Sequence, residues 1–192
     1  MAVAVSFAVA TSVFNASYEA QQRVDALLPN GGDVPVTGSA PRPAGAELAR
    51  IRSVPGVVEA QPMQHRFAYV GKDLQDLYGV DPHRIGSATD LVDGYFSRLT
   101  AAEAMSRLAH QTDGILVSQE TVNDFQLAIG DMLNLRLRAA DGALKTVPFH
   151  LVRVVKEFPP APRDSFLVAN ASYVAAQTGK PEAEVVLARV TG

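Results

Sequence analysis

Ser118 occupies the position in this sequence that most resembles that of a catalytic nucleophile. It follows the apolar run 115–117, which predicts a buried strand, and it precedes a segment with helical spacing. A nucleophilic serine at such a strand-to-helix turn needs flanking glycines, but Leu116 and Glu120 stand at those positions. We therefore interpret Ser118 as a helix N-cap, whose hydroxyl accepts a hydrogen bond from a backbone N–H.

The four histidines are the other residues whose side chains could take part in catalysis or bind a metal. His65, His83, His110 and His150 are far apart, and none has the spacing to a second histidine that a zinc site on one helix requires. The sequence also has no phosphate loop and no dinucleotide fingerprint. We predict no catalytic residue, no metal site, no cofactor and no enzyme activity. A hydrolase of unfamiliar type is the alternative that an activity panel would test.

Aromatic residues are concentrated between positions 67 and 96. Side chains of this type anchor binding partners, and they also fill cores. Core packing and a surface that binds a partner or ligand therefore both remain open for this group. Its members are Phe67, Tyr69, Tyr78, Tyr95 and Phe96.

Composition narrows the class of protein. The chain has 192 residues, enough for one or two domains with a real core. Its formal net charge is -3 and it has no basic block, which argues against nucleic acid as a partner. It has no cysteine, so it has neither a disulfide framework nor a thiolate metal site.

The first residues differ in character from the remainder of the chain. No charged residue occurs before Glu19, and the apolar run is slightly shorter than the roughly 20 residues of a full membrane span. We predict that residues 1–28 are the end of a transmembrane helix that continues as a stalk helix. No proline or glycine interrupts this segment, which favours one unbroken helix. The alternative is a buried amphipathic helix of a soluble domain.

The pattern of the following residues predicts an α+β fold with two lobes. Residues 29–66 and 112–192 are predicted to form a core lobe of β-α-β units, with strands at 33–36, 57–61 and 115–117. Pro35 places the first of these strands at an edge. Residues 67–111 lack a clear repeating pattern, and we expect them to form a smaller inserted lobe outside the main sheet.

Several local signals give sharper expectations. Pro62 is expected to break the strand before it, and residues 73–78 to form a single helical turn. Ala101 to His110 is expected to be helical. A helix after Ser118 is expected to continue through Ile129 and close at Gly130. Leu133, Leu135 and Leu137 alternate with polar residues, as in a half-buried strand.

An ordered series of short motifs covers nearly the whole chain. Each motif is common by itself, whereas their order and spacing together are more specific. They are the apolar start with its stalk at 18–28, the strand 33–36, Val-Pro-Gly-Val at 54–57, Tyr-Gly-Val-Asp-Pro at 78–82, Gly-Tyr-Phe at 94–96, the strand ending at Ser118, Ile-Gly-Asp at 129–131 before the leucine-alternating strand, and Pro-Phe-His-Leu-Val at 148–152.

This series resembles the extracytoplasmic domain of an FtsX-like permease, in the MacB periplasmic-core family of ABC transporter subunits. The resemblance implies a two-lobed, non-catalytic domain at the cell membrane, on its extracytoplasmic side. It implies coupling of cytoplasmic ATP hydrolysis to export, or to regulation of an extracytoplasmic partner, by transmitted motion. The implied partners are a cytoplasmic ATPase subunit, a second permease copy, and a lipoprotein, lipid or cell-wall enzyme. The alternative is a surface-anchored module that binds a ligand or protein.

Overall fold

The computed structural model describes residues 34–39, 41–97, 99–161 and 164–191. The predicted transmembrane and stalk helix at residues 1–28 lies outside the described residues. The strands are β1 (Val34–Thr37), β2 (Val57–Val70), β3 (Asp73–Val80), β4 (Gly114–Ser118), β5 (Met132–Arg138), β6 (Leu144–Val155), β7 (Phe166–Asn170) and β8 (Val185–Val190). The α-helices are α1 (Leu48–Arg52), α2 (Ile85–Ala88), α3 (Ala101–His110), α4 (Gln119–Phe125) and α5 (Ala171–Thr178).

The eight described strands form one sheet that partly closes on itself. Their order is β1-β8-β2-β3-β7-β4-β6-β5, and β5 also pairs with β2. This additional pairing closes six of the strands, β2 to β7, into a ring. Within the ring the β3–β7 and β4–β6 pairs are parallel and the other pairs are antiparallel. The strands β8 and β1 extend the sheet beyond β2, with β1 at the edge as Pro35 predicted.

The long strand β2 joins the ring to this extension. It pairs with β8 from Val57 to Met63 and with β3 from Gln64 to Val70. The prediction that Pro62 breaks the strand is therefore wrong. At Pro62 the strand has a neighbour on the β8 side only, and proline is tolerated in a strand where its missing N–H interrupts no second ladder.

The prediction of a helical turn at residues 73–78 is also wrong. These residues lie in β3, which forms a hairpin with β2 through Gly71 and Lys72. Gly71 has a φ of 60°, and glycine at the first position of a two-residue turn suits the type II′ hairpin. Cross-strand pairing over this hairpin outweighs the local helical spacing of 73–78.

Residues 67–111 do not stand apart from the main sheet, which corrects that expectation. They contribute the end of β2 and all of β3 to the sheet, and α2 and α3 cover its outer face. Ile85 and Leu108 on these helices share one buried cluster with Leu116 and Phe166 on the strands. A common core of this kind does not divide into separate lobes.

The unit from β4 to β5 agrees with most of its prediction. All five residues of β4 are buried, Ser118 Oγ accepts from the Thr121 N–H, and the three leucines of β5 face the core. The helix, however, ends at Phe125 rather than at Gly130, because Gln126 takes a left-handed conformation with a φ of 53°. Ile129 is consequently exposed, and Asp131 accepts from the Ala128 N–H at 2.8 Å.

The interior of the ring holds a second buried cluster. Each of the six ring strands contributes to it, and Phe149 is its largest fully buried side chain. Val174 on α5 covers one end of the ring, with Val122 and Phe125 of α4 also packed against the cluster. The ring is therefore a packed core, with no open channel between its strands.

Candidate functional site

A cleft lies beside the place where the ring closes. The strand β2 pairs with β5 at only two positions, Ala68 with Leu137 and Tyr69 with Arg136. The pairing stops at Ala68 and Leu137: Phe67 would face Arg138 in the same register but is not paired with it, and Arg66 lies beyond the end of β5. This gap between the strands forms a cleft with a cavity volume of about 340 Å³.

The floor of the cleft is apolar and its rim exposes large hydrophobic side chains. Leu137 and Val174 line it from the ring interior and from α5. Phe67, Leu74 and Leu144 line its outer part, with 55%, 54% and 47% of their surface exposed. Neighbouring exposed side chains of this size, around a concave site, are typical of a binding surface.

A row of rings leads from the core to this rim. The imidazole of His65 stacks on buried Tyr78, with ring centroids 4.9 Å apart, and contacts Phe67 at 5.4 Å. His65 Nε2 lies 2.6 Å from Asp76 Oδ1, which fixes the ring. Burial raises the pKa of the Tyr78 phenol well above its ordinary value, and Asp76 raises it further. The phenol therefore remains neutral, and the row positions Phe67 at the cleft.

Tyr69 marks the closing point of the ring. The Arg136 guanidinium lies 4.8 Å from the centroid of its ring, and Arg136 Nη2 donates to the Gly71 carbonyl at 2.9 Å. A cation over an aromatic face stabilises a half-exposed pair of this kind by about 0.5–1 kcal/mol. This contact holds β5 against the β2–β3 turn and so sets one end of the cleft.

The three cations that line the cleft have different partners. Arg66, with a side chain 13% exposed, contacts Glu184 at 2.6 Å and donates to the Glu182 carbonyl at 2.6 Å, so its charge is neutralised. Within the part of the chain that the structure describes, Arg138 donates only to the Gly142 carbonyl, at 2.8 Å. Lys180 makes no side-chain hydrogen bond or ion pair with any described residue. The positive charge available at the rim is therefore that of Arg138 and Lys180.

The predicted aromatic group is divided by the structure. Phe67 and Tyr69 line the cleft together, whereas Tyr78, Tyr95 and Phe96 are buried in the outer core. For these three residues the burial favours the core-packing alternative over a partner surface, because buried rings expose almost no area to a partner. The count of aromatics along the chain did not distinguish the two groups.

Leu74, Leu144, Arg138 and Lys180 were not selected from the sequence. They come from three separate segments that only the closing of the ring and the position of α5 bring together. The alternation of Phe67 and Tyr69 with buried Ala68 was the available signal, since it places both rings on the outer face of β2.

Within the described ranges, no three histidine or acidic side chains lie close enough to hold a metal ion. In the same ranges, no helix combines the length and apolar character that crossing a bilayer requires.

The fold is similar to that of several solved structures, among them domains of three transporters or permeases. No family model and no curated protein sequence matches the chain. The extracellular domain of the noncanonic ABC-type transporter YknZ from Gram-positive bacteria is similar with a TM-score of 0.49 and 11% identity, over 82% of this chain and 74% of that one. The periplasmic region of MacB from Actinobacillus actinomycetemcomitans gives 0.43 and 11%, over 76% and 64%. A domain of a protein described as a permease from Porphyromonas gingivalis gives 0.44 and 11%, over 82% and 63%.

All three structures are parts of transporters or permeases, the class that the order of sequence motifs indicates. The chain spans less than two thirds of the second and third of them.

Proposed function

We propose that the chain contributes a non-catalytic extracytoplasmic domain to an FtsX-like permease of an ABC transporter. The order of its sequence motifs supports this function, and one feature of the fold carries it. The strands β1 and β8 pair antiparallel, with Val34 beside Ala188. The two ends of the described fold therefore emerge side by side from one sheet edge. A domain held at a membrane through both of its ends needs this arrangement.

The proposed activity is mechanical. The strand β8 has β1 on one side and β2 on the other, and β2, which is 14 residues long, continues from β8 into the ring. A displacement applied at the sheet edge would pass along these ladders to the ring and its cleft. In this proposal a cytoplasmic ATPase drives the displacement, and the domain regulates export or an extracytoplasmic lipoprotein, lipid or cell-wall enzyme. A second permease copy would complete the transporter.

Single-cysteine labelling of the full-length protein in intact cells tests the location. These 192 residues include no cysteine, so Val58→Cys, at a position 60% exposed, would add their only thiol, and the parent protein serves as the labelling blank. We expect a membrane-impermeant maleimide to label it without lysis. The control is Val186→Cys, whose position is fully buried and should react only after unfolding. Labelling of Val58→Cys that requires lysis would contradict an extracytoplasmic location.

Coupling to the ATPase needs a separate measurement. Spin labels at Val58→Cys and Leu144→Cys would report the separation of the sheet extension from the ring, since both positions are exposed. In the assembled transporter we expect the distance distribution to change between the nucleotide-free and ATP-bound states. An unchanged distribution, with ATP turnover intact, would contradict transmission of motion through this domain.

The second candidate function is a surface-anchored module that binds a ligand or protein. The cleft favours it, because one cavity is surrounded by three exposed hydrophobic side chains and by two cations that have no carboxylate partner among the described residues. The two candidates are compatible, since a permease domain can also recognise a ligand. A binding measurement on the isolated chain distinguishes them, because only the binding module requires a ligand at the cleft.

A further inference from the structure

We propose that the cleft binds a small amphipathic anion, an aliphatic or aromatic group that carries a carboxylate, sulfonate or phosphate. This inference rests on the second candidate function and names its ligand class. It does not depend on membrane attachment or on coupling to an ATPase.

The apolar part of the ligand is inferred from the lining. Leu137 and Val174 form a buried floor, and Phe67, Leu74 and Leu144 expose apolar surface around it. An apolar group placed between floor and rim would remove water from both at once, which is the main favourable term in such binding. Half-exposed leucines and a phenylalanine on one concavity are otherwise costly for a protein surface.

The charge of the ligand is inferred from the ion pairs that do and do not form. The acidic groups near the cleft have partners: Asp76 contacts His65, and both Glu182 and Glu184 contact Arg66. The guanidinium of Arg138 and the ammonium of Lys180 have no carboxylate partner among the described residues. A ligand with a negative head would neutralise charge that the protein leaves uncompensated, whereas a cation would meet repulsion.

The size of the ligand follows from the cavity. Its volume of about 340 Å³ lies at the lower end of the range for small-molecule sites. The closing pairs at Tyr69 bound one end, and Lys180, which follows α5, lines the cleft. A single alkyl chain or a bicyclic aromatic fits such a space, and a folded protein segment does not.

A tryptophan reporter provides a direct assay with the full chain. The sequence contains no tryptophan, so Phe67→Trp would place a unique fluorophore at the rim. Three ligands of equal chain length would be titrated below their micellar concentrations: decanoate, decanol and decyltrimethylammonium. We expect decanoate to shift the emission to the blue at the lowest concentration, decanol to need more, and the cation to have the weakest effect.

Variants in the reporter background locate the binding. Lys180→Ala and Arg138→Ala should each weaken decanoate binding by about fivefold and leave decanol unchanged, as expected for loss of one exposed ion pair. Leu74→Ala should weaken decanoate and decanol alike. The matched controls are Lys156→Ala and Ile129→Ala, an exposed lysine and an exposed isoleucine outside the cleft, and neither should change any affinity.

Three outcomes would overturn the inference in distinguishable ways. Equal affinity for decanoate and the cation would overturn the anionic head while supporting a ligand-binding cleft. Decanoate binding that Lys180→Ala and Arg138→Ala both leave unchanged would move the site elsewhere on the chain. If none of the three ligands shifts the emission, the small-ligand form of the second candidate function also fails.

Discussion

The strand β2 makes two junctions inside the ring, and they differ greatly in extent. Toward β3 it forms seven residue pairs, from Gln64 with Gly79 to Val70 with Asp73. Toward β5 it forms two, at Ala68 and Tyr69. The first, which we call the strong junction, is a continuous ladder next to a tight turn. The second, the weak junction, is limited to these two pairs near the end of the shorter strand β5.

This difference explains where the cleft lies. Closing a barrel requires strand lengths and stagger that match around the ring. Here the pairing of β5 with β2 stops at Leu137 and Ala68 while β2 continues past this point, so the ring is left open beside Phe67. The residues along the opening have no ladder partner on the open side, and this leaves that side accessible to a ligand. The strong junction is expected to determine stability and the weak junction to determine ligand access.

The largest effect is expected from core leucines at the two junctions. Leu77→Ala, in the seven-pair junction and fully buried, should lower the free energy of unfolding by about 2–5 kcal/mol. Leu137→Ala should fall at the lower end of that range, because its cavity would merge with the open cleft and admit water. Urea unfolding measures both. Leu74→Ala, exposed on the same strand as Leu77, is the control and should change stability by less than about 0.5 kcal/mol. A larger loss for Leu137→Ala than for Leu77→Ala would reverse the comparison.

A smaller effect is expected from glycine at the strong junction. A Cβ on Gly79 would collide with the Gln64 amide and would lie 3.1 Å from Gln64 Cβ. Gly79→Ala should therefore destabilise the fold by about 1–3 kcal/mol through overpacking. Gly86→Ala, in α2 with nothing near its Cβ position, should be neutral or slightly stabilising. Similar thermal midpoints for the two variants would show that this junction has room to adjust.

A still smaller effect is expected at the weak junction. Arg136→Ala removes the contact with the Tyr69 ring and the hydrogen bond to Gly71, which should cost about 1 kcal/mol or less. It should also speed amide exchange in β5 more than in β3, since so few pairs hold β5 to β2. Arg50→Ala, at an exposed arginine remote from the ring, is the control. Equal exchange rates in β5 of both variants would argue that this contact does not hold the junction.

Local signals predicted some elements well. The cap at Ser118 depends on a contact only three residues away. The apolar run of β4 and the alternating leucines of β5 each follow from which faces of the strand are buried, and both patterns are visible in the sequence. The helix after Ser118 was predicted too long, because Ile129 fits the helical stripe by spacing although it is exposed. At 73–78, spacing alone did not reveal that pairing with β2 would decide the structure.

The site was less predictable than the elements, for a physical reason. Phe67 and Tyr69 were selected as aromatics, but the cleft also requires Arg138 and Lys180, which lie far along the chain. Their proximity depends on where β5 ends relative to β2, and on the packing of α5 at the same opening. Both are properties of strand register and length mismatch, which no short sequence window contains.

The smallest effect at neutral pH, and a large one in alkali, is expected from Tyr78. Tyr78 pairs with His65 across the junction of β2 and β3, and its ring stacks on the imidazole. Burial raises the pKa of its phenol above the ordinary value of about 10. A group whose pKa is raised by folding contributes stability that is complete below its unfolded pKa and is lost as the pH rises toward its folded pKa. The free energy of unfolding should therefore decline above about pH 10, and Tyr78→Phe should flatten that decline while changing little at pH 7. Tyr69→Phe, at the weak junction and half-exposed, is the control and should leave the alkaline decline as it is. Equal alkaline profiles for the parent protein and Tyr78→Phe would mean that the phenol can ionise without unfolding, and that the seven-pair junction opens more readily than its ladder implies.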